Sequence, residues 1–219
     1  HALWITAACV ALPLRALAGE GLRVPQAGRW ALYFAGTGLG YMAVEIAFLQ
    51  KFGHFLAHPN HALSVVLAVL LLASGVGSLL SAGIVRALRH VRFVTYLMAG
   101  IVLLEYGLLL PRLPQWIALP FAARCAIVAA LVAPGGVCLG VFVPTALERL
   151  KHDAAAFAPW AWGINGIFSV LAPVAAVALS ISWGINALLL ASIPLYLAVG
   201  WAFPAPAVPA APAAALAES

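Results

Sequence analysis

Two glutamates interrupt otherwise apolar stretches of the sequence. Glu45 and Glu105 are each flanked on both sides by apolar residues. An ionised carboxyl group inside a membrane is costly, so it normally faces other helices or water and has a partner. Arg124 is the best candidate partner and Lys51 the second. One interpretation is a site that couples to protons or cations. The alternative, which we favour, is a structural ion pair or a protonated, hydrogen-bonded glutamate that fixes helix packing.

Three histidines, His54, His58 and His61, follow one another at spacings of four and three residues. On an unbroken helix they would share one face and form a candidate ligand set for a metal or a haem. Pro59 interrupts the stretch, so we interpret it as a solvated turn at the outer membrane surface. We therefore predict neither a metal site nor a cofactor.

The amide of Asn165 lies within another apolar stretch, in the sequence Trp-Gly-Ile-Asn-Gly of residues 162–166. An amide in this position either contacts a substrate or forms a hydrogen bond between two helices. Polar side chains of membrane helices commonly bond to neighbouring helices, so we predict an interhelical hydrogen bond.

Little else in the sequence could carry out catalysis. Asp153 is the only aspartate, and no combination of nucleophile, base and acid can be assembled from the connecting loops. We predict that these residues contain no catalytic site and have no enzymatic activity.

Long apolar stretches must position these polar residues. Residues 62–85, 125–147 and 154–217 contain no Asp, Glu, Lys or Arg, and a helix of ~20 apolar residues crosses the ~30 Å hydrocarbon core of a bilayer. Charged residues make up 8% of the chain, compared with about 25% in soluble domains. Apolar residues run continuously and do not alternate, which excludes a β-barrel. The sequence predicts an all-α, polytopic transmembrane helical bundle.

Seven apolar segments can be distinguished. They are residues 1–17, 30–51, 61–85, 91–110, 122–147, 159–181 and 185–203. We expect six spans and a partial seventh, because the first segment is short and interrupted by a proline. The chain thus divides into a partial membrane segment with a polar linker (1–29), a six-helix bundle (30–203) and a Pro/Ala-rich disordered tail (204–219). Because the chain begins with His1, we interpret it as a fragment or a processed chain.

Basic residues are distributed unevenly between the two sides of this bundle. The loops after segments one, three and five contain Arg15, Arg23, Arg29, Arg86, Arg89, Arg92, Arg149 and Lys151. The opposite loops contain only Lys51, Arg112 and Arg124. Loops rich in Lys and Arg stay in the cytoplasm, so the first set should be cytoplasmic. Because the net charge of +5 resides in these short loops, we predict no nucleic-acid partner.

Small residues recur four positions apart within the segments. The pairs are Gly36 and Gly40, Ala73 and Gly77, Gly77 and Ser81, and Gly136 and Gly140. This spacing lets the backbones of neighbouring helices approach closely. It predicts a tightly packed bundle.

Four stretches carry a resemblance to a known family. They are residues 39–52 (LGYMAVEIAFLQKF), 58–67 (HPNHALSVVL), 74–81 (SGVGSLLS) and 160–166 (WAWGING). Together they resemble the membrane region of large bacterial spermidine-synthase-like proteins, in which transmembrane segments accompany a nucleotide-fold domain of the aminopropyltransferase or methyltransferase type. The positions that match are Glu45, Gln50, His58, Pro59, Gly77, Asn165 and Gly166.

The chain lacks the Gly-rich cofactor loop and the acidic polyamine pocket of the synthase domain. The resemblance therefore implies a multi-pass module of the bacterial inner membrane and not aminopropyl transfer. We expect a non-catalytic accessory, anchoring or scaffold subunit, whose partners are the lipid bilayer and other membrane protein subunits. More distantly, six spans with a basic loop at 77–92 look like half of a major-facilitator transporter, although Ser81 stands where that loop normally carries an Asp. The alternative is thus a small module that transports cations or polyamines.

Overall fold

The computed structural model describes residues 19–204, which form helices and turns without a β-strand. Six helices in this part of the chain are long and apolar enough to cross a membrane. We label them α1 to α6 in chain order. Their bounds are Ala27–Phe55, Pro59–Leu88, Val91–Trp116, Phe121–Asp153, Ala158–Trp183 and Ile185–Ala202. The predicted all-α, multi-pass bundle is confirmed.

Helix α1 lies at the centre of the bundle. It packs mainly against α5 and α6 and, less extensively, against α2 and α4. Aromatic side chains fill much of the space around it, since Trp30, Tyr33, Phe34, Phe48 and Phe52 are all almost fully buried. Two further helix pairs, α2 with α4 and α3 with α6, complete the bundle. Helices α4 and α5, in contrast, make little contact with each other.

The α2–α4 pair has the most extensive helix contact, and glycines account for it. A Cβ atom built on Gly77 would lie 2.1 Å from the carbonyl oxygen of Val137, and one built on Gly140 would lie 2.0 Å from that of Ser74. No side chain larger than hydrogen fits at such separations. The close approach predicted from the small-residue spacing is therefore present, backbone against backbone.

Helix α3 departs from the continuous helix expected over residues 91–110. It is α-helical over Val91–Leu104, changes to a π-helix over Glu105–Leu109, and ends in 3-10 turns over Leu110–Trp116. The N–H of Leu110 donates to the carbonyl oxygen of Glu105, five residues earlier. Pro111 lacks the N–H group that a regular helix would need next, which accounts for irregular turns at this end.

Several predicted boundaries need correction. The polar linker expected to continue to residue 29 ends earlier, because Gly19–Arg23 forms a 3-10 turn and α1 begins at Ala27. The predicted segments leave residues 182–184 between the last two helices, but in the structure only Gly184 separates them. Its φ of 88° is a conformation that favours glycine. The first apolar segment, 1–17, and the tail after Pro204 lie outside the described residues.

The outward faces of α2 and α5 suit a lipid environment. Exposed side chains on these faces are large and apolar. They include Leu71, Leu72, Leu79 and Leu80 on α2, and Val170, Val174 and Ile181 on α5. Such a continuous apolar surface would be unfavourable in water, which agrees with six membrane-spanning helices.

Candidate functional site: a polar cavity within the bundle

A small cavity of about 140 Å³ lies near the middle of the bundle. It is bounded by α1, α4, α5 and α6, where α4 and α5 fail to meet. The polar side chains in its wall are Thr37, Tyr41, Asn165, Ser169 and Tyr196. Four hydroxyl groups and one amide therefore surround a space large enough for a few water molecules.

Helices α1 and α5 are brought together at this cavity by Gly38. A Cβ atom there would lie 2.5 Å from the carbonyl oxygen of Asn165. The Asn165 side chain can consequently reach across, and its Nδ2 donates to Thr37 Oγ1 at 3.1 Å and to the carbonyl oxygen of Phe34 at 3.2 Å. The interhelical hydrogen bond predicted for Asn165 is present.

Glu45 lies one helical turn beyond Tyr41 and is half-buried. Among residues 19–204, no hydrogen bond or ion pair to its carboxyl group is formed. The wall of the cavity does not include it. The structure thus places Glu45 beside the cavity and does not show the interhelical partner that we expected.

Glu105 is the most deeply buried charged residue of the described region, with 3% of its surface exposed. It begins the π-helical part of α3, which packs against α6. Its Oε2 atom has no hydrogen-bond partner within residues 19–204. A buried carboxyl group without a partner is costly. The two glutamates therefore occupy different environments and do not form one site.

Arg124 does not pair with either glutamate, which corrects our prediction. Its Nη1 donates to the carbonyl oxygen of Phe55 at 3.0 Å, and its Nε atom is buried without a partner among residues 19–204. Phe55 is the last residue of α1, where unpaired carbonyl groups and the negative end of the helix dipole favour a cation. Arg124 therefore holds the start of α4 against the end of α1.

His58 and its two neighbouring histidines do not lie in one solvated loop. His54 belongs to the last turn of α1 and His61 to the first turn of α2, and only residues 56–58 connect the two helices. His58 is the N-cap of α2, since its Nδ1 accepts from the N–H of Asn60 at 3.2 Å. Pro59 at the first helical position favours this start. The role of His58 in this structure is thus capping.

An open cavity of about 880 Å³ lies at the same end of the bundle. Its polar side chains include Gln50, His54, Asn60 and Ser180. The Oε1 atom of Gln50 is buried and has no partner in the described part of the chain. Because this cavity is wide and open, it resembles a surface recess more than an enclosed site.

Apart from the bond of Asn165, a set of hydrogen bonds from side chains to main-chain carbonyl groups was not predicted. Tyr33 of α1 donates to the carbonyl oxygen of Phe142 at 2.8 Å. Arg29 donates to the carbonyl oxygens of Trp201, Ala202 and Phe203. Together with the bonds from Arg92 to Gly200, Arg124 to Phe55 and Asn165 to Phe34, these form what we call the carbonyl contacts. Each joins two different helices or their ends.

Comparison of the chain with protein-family models, with curated proteins and with solved structures finds no significant match. The resemblance to the membrane region of spermidine-synthase-like proteins therefore stays a prediction.

Proposed function

We propose that the chain is a non-catalytic membrane module that anchors or supports other membrane proteins. The observation that supports this proposal is that polar side chains of the chain form hydrogen bonds between its own helices. Tyr33, Asn165, Arg29, Arg92 and Arg124 are all engaged with main-chain carbonyl groups of another helix or its end. Groups held in this way fix helix positions and are not directed at a substrate.

The size of the central cavity supports the same proposal. At about 140 Å³ it is smaller than the ~300 Å³ or more typical of ligand pockets. Aromatic side chains of Phe142 and Tyr196 stack beside it with ring centroids 5.1 Å apart. An anchoring module needs a closely packed bundle and an apolar outer surface, and the described helices have both features.

Transport of a small cation is the second candidate, and the location of the cavity is what favours it. Transporters bind substrates near the membrane midplane between helices. Tyr41 stands halfway along α1, and the cavity that it lines combines hydroxyl and amide groups. Glu45, one turn away, would supply a negative charge for a cation such as a polyamine.

Purification of the tagged full chain from its own host in mild detergent separates the two candidates. We expect other membrane proteins to co-purify in fixed stoichiometry. The chain would then be placed alone in proteoliposomes and tested for uptake of spermidine and of protons. A solitary chain with saturable uptake that Asn165→Ala abolishes and Asn186→Ala preserves would overturn the anchoring proposal. Asn186 is a suitable control because it is exposed and distant from the cavity.

For orientation, we propose that the ends bearing Arg89 and Arg149 face the cytoplasm of a bacterial cell. Single cysteines can be introduced as Arg89→Cys and Ala57→Cys in a background in which Cys9, Cys125 and Cys138 are replaced by alanine. Both positions are exposed. An impermeant thiol reagent should label position 57 in intact cells and position 89 only after the membrane is opened. The reverse pattern would contradict the orientation.

A further inference from the structure

A cavity of about 720 Å³ lies at the end of the bundle where α2 turns into α3. Arg89 makes this turn with a φ of 65°, and His90 caps α3 by accepting the N–H of Arg92 on its Nδ1. The last turns of α4 supply Thr145 and Arg149 on the opposite wall. Three chain segments thus bring side chains of different chemistry into one recess.

The charges around this cavity are mostly positive. Arg89 and Arg149 lie in its wall together with one carboxylate, Glu148. Adjacent positions of the sequence add Arg86, Arg92 and Lys151, against one further carboxylate, Asp153. Both carboxylates are already paired, Glu148 with Lys151 and Asp153 with Arg149. The guanidinium group of Arg89 therefore remains without a carboxylate partner among the described residues, and the recess is suited to an anion. Arg92 lines a separate cavity, where its Nε donates to the carbonyl oxygen of Gly200.

The pKa of His90 is affected by the same positive charges. Burial first, and then the positive charges of Arg92 and Arg149, lower its pKa from the ordinary value. The imidazole is therefore neutral near pH 7. Because Nδ1 accepts the N–H of Arg92, the ring proton resides on Nε2, which is a hydrogen-bond donor.

A hydroxyl group within the cavity has no partner. Thr145 lies in its wall, and the Oγ1 atom is buried without a hydrogen bond in the part of the chain that the structure describes. A buried hydroxyl group normally has a partner. An oxygen-rich ligand in the recess would supply one.

The remaining wall of the cavity is apolar and leads toward the lipid-facing surface. Ala82, Val85 and Val91 belong to it, together with Phe203. Leu79, about one turn earlier on α2, has 86% of its surface exposed. A ligand with a charged head and an apolar chain could place the head among the arginines and the chain along α2. A small soluble anion would leave the apolar wall uncovered.

We propose that this cavity binds the headgroup of an anionic phospholipid, with its phosphate near Arg89 and Arg149 and an acyl chain along α2. Basic recesses between transmembrane helices commonly hold such headgroups. The lipid would join the ends of α2 and α4 to the start of α3 and so stabilise the fold.

The test measures lipid binding to the purified full chain by native mass spectrometry and by its melting temperature in neutral detergent. Phosphatidylglycerol should bind and raise the melting temperature, whereas phosphatidylcholine with the same acyl chains should do neither. Arg89→Gln should weaken phosphatidylglycerol binding about fivefold, the effect of losing one cation near an anionic lipid. Arg112→Gln, an exposed arginine on the opposite side, should leave it unchanged.

Three results would overturn the proposal. These are equal binding of the two lipids, equal weakening by Arg89→Gln and Arg112→Gln, and full stabilisation by inorganic phosphate alone, which would identify a soluble anion as the ligand. Should Arg89→Gln fail to fold, Thr145→Val provides a second variant of nearly unchanged shape. It should also weaken binding of phosphatidylglycerol, and unchanged binding would contradict the proposal.

Discussion

Two helix contacts in this bundle achieve close packing by different means. In the α2–α4 pair, main chain meets main chain, as the separations at Gly77 and Gly140 require. At Gly36 and Gly40 of α1, side chains of another helix enter the space above the glycine. Val199 Cγ2 would lie 2.5 Å from a Cβ atom on Gly36, and the Tyr196 ring would lie 2.6 Å from one on Gly40. Hydrogen bonds from Tyr33 and Asn165 join α1 to its neighbours, whereas no side-chain hydrogen bond between described residues joins α2 to α4.

The difference indicates which helix contacts should tolerate a substitution at a glycine. A side chain that fills the space above a glycine can change its rotamer, whereas a carbonyl group in a helix cannot move without its helix. The α2–α4 contact should therefore be intolerant of substitution, as should Gly38 of α1, which faces the carbonyl oxygen of Asn165. The contacts at Gly36 and Gly40 should tolerate changes at moderate cost.

The largest effect is expected at Gly140. In Gly140→Ala the new methyl group would collide with the carbonyl oxygen of Ser74, and forced separation of packed elements costs about 1–3 kcal/mol. The melting temperature in detergent should fall accordingly. Gly75→Ala is the matched control on the same helix pair, because nothing lies within 4 Å of its added methyl group. Equal effects of the two substitutions would refute the proposed backbone contact.

Gly36→Ala tests the contact of α1 in which a side chain, and not a main-chain carbonyl group, lies above the glycine. The added methyl group meets only the Val199 side chain, so a small shift of that side chain, without movement of a carbonyl group, would relieve the contact. We expect the free energy of unfolding to fall by about 1 kcal/mol, the lower limit of the range given for Gly140→Ala. A loss as large as that of Gly140→Ala would mean that α1 is held as rigidly as the α2–α4 pair.

Tyr33→Phe tests one hydrogen bond of the α1 contacts. The ring stays in place, but the bond to the carbonyl oxygen of Phe142 is lost, which should reduce the free energy of unfolding by about 1 kcal/mol. Tyr96→Phe, at a tyrosine with 56% of its surface exposed, should leave it unchanged. An unchanged melting temperature in Tyr33→Phe would show that the bond contributes nothing.

Asn165→Ala should reduce the free energy of unfolding slightly less than Tyr33→Phe does. Hydrogen bonds between membrane helices contribute ~0.6 kcal/mol on average and at most ~1.7. The bonds to Thr37 and Phe34 are lost together, and Thr37 keeps its own bond to Phe34. Reversible unfolding in mixed micelles would measure the difference. A loss above the stated maximum would indicate that the cavity itself collapses.

The smallest effect is expected for Glu45→Gln. The side chain keeps its shape, and no described group bonds to the carboxyl oxygens, so the free energy of unfolding should change by less than about 0.5 kcal/mol. A larger loss, measured in the same way, would reveal a partner for Glu45 that lies beyond residues 19–204 or in bound water.

Much of this fold follows from the sequence. The apolar segments predict the six spans, although α3 and α4 each continue six residues beyond the predicted end. The four-residue spacing of Ala73 and Gly77, and of Gly136 and Gly140, predicts close helix contact. The spacing does not indicate which helix is the neighbour, because any helix with small residues at the same spacing would fit. The pairing of α2 with α4 depends on how all six helices fill space.

The polar site was only partly predictable, for a related reason. The bond of Asn165 could be predicted because an amide in an apolar helix needs a partner. The carbonyl contacts of Tyr33 and Arg29 could not, because every residue carries a carbonyl group and the sequence marks none of them as an acceptor. The expected pairing of Arg124 with a glutamate was wrong for this reason, since the carbonyl oxygen of Phe55 at the end of α1 accepts its hydrogen bond instead.

The central position of α1 has a consequence for biogenesis. During synthesis α1 leaves the ribosome first among the described helices, whereas its main neighbours, α5 and α6, leave last. At ordinary elongation rates the delay is on the order of ten seconds. The α2–α4 pair can assemble during this interval, but α1 must wait in lipid with Thr37 and the surfaces of Gly36 and Gly40 uncovered. Release of the nascent chain before α6 is complete would therefore leave the most aromatic of the described helices without one of its two main partners. Such truncated chains are the ones that we expect membrane quality control to recognise.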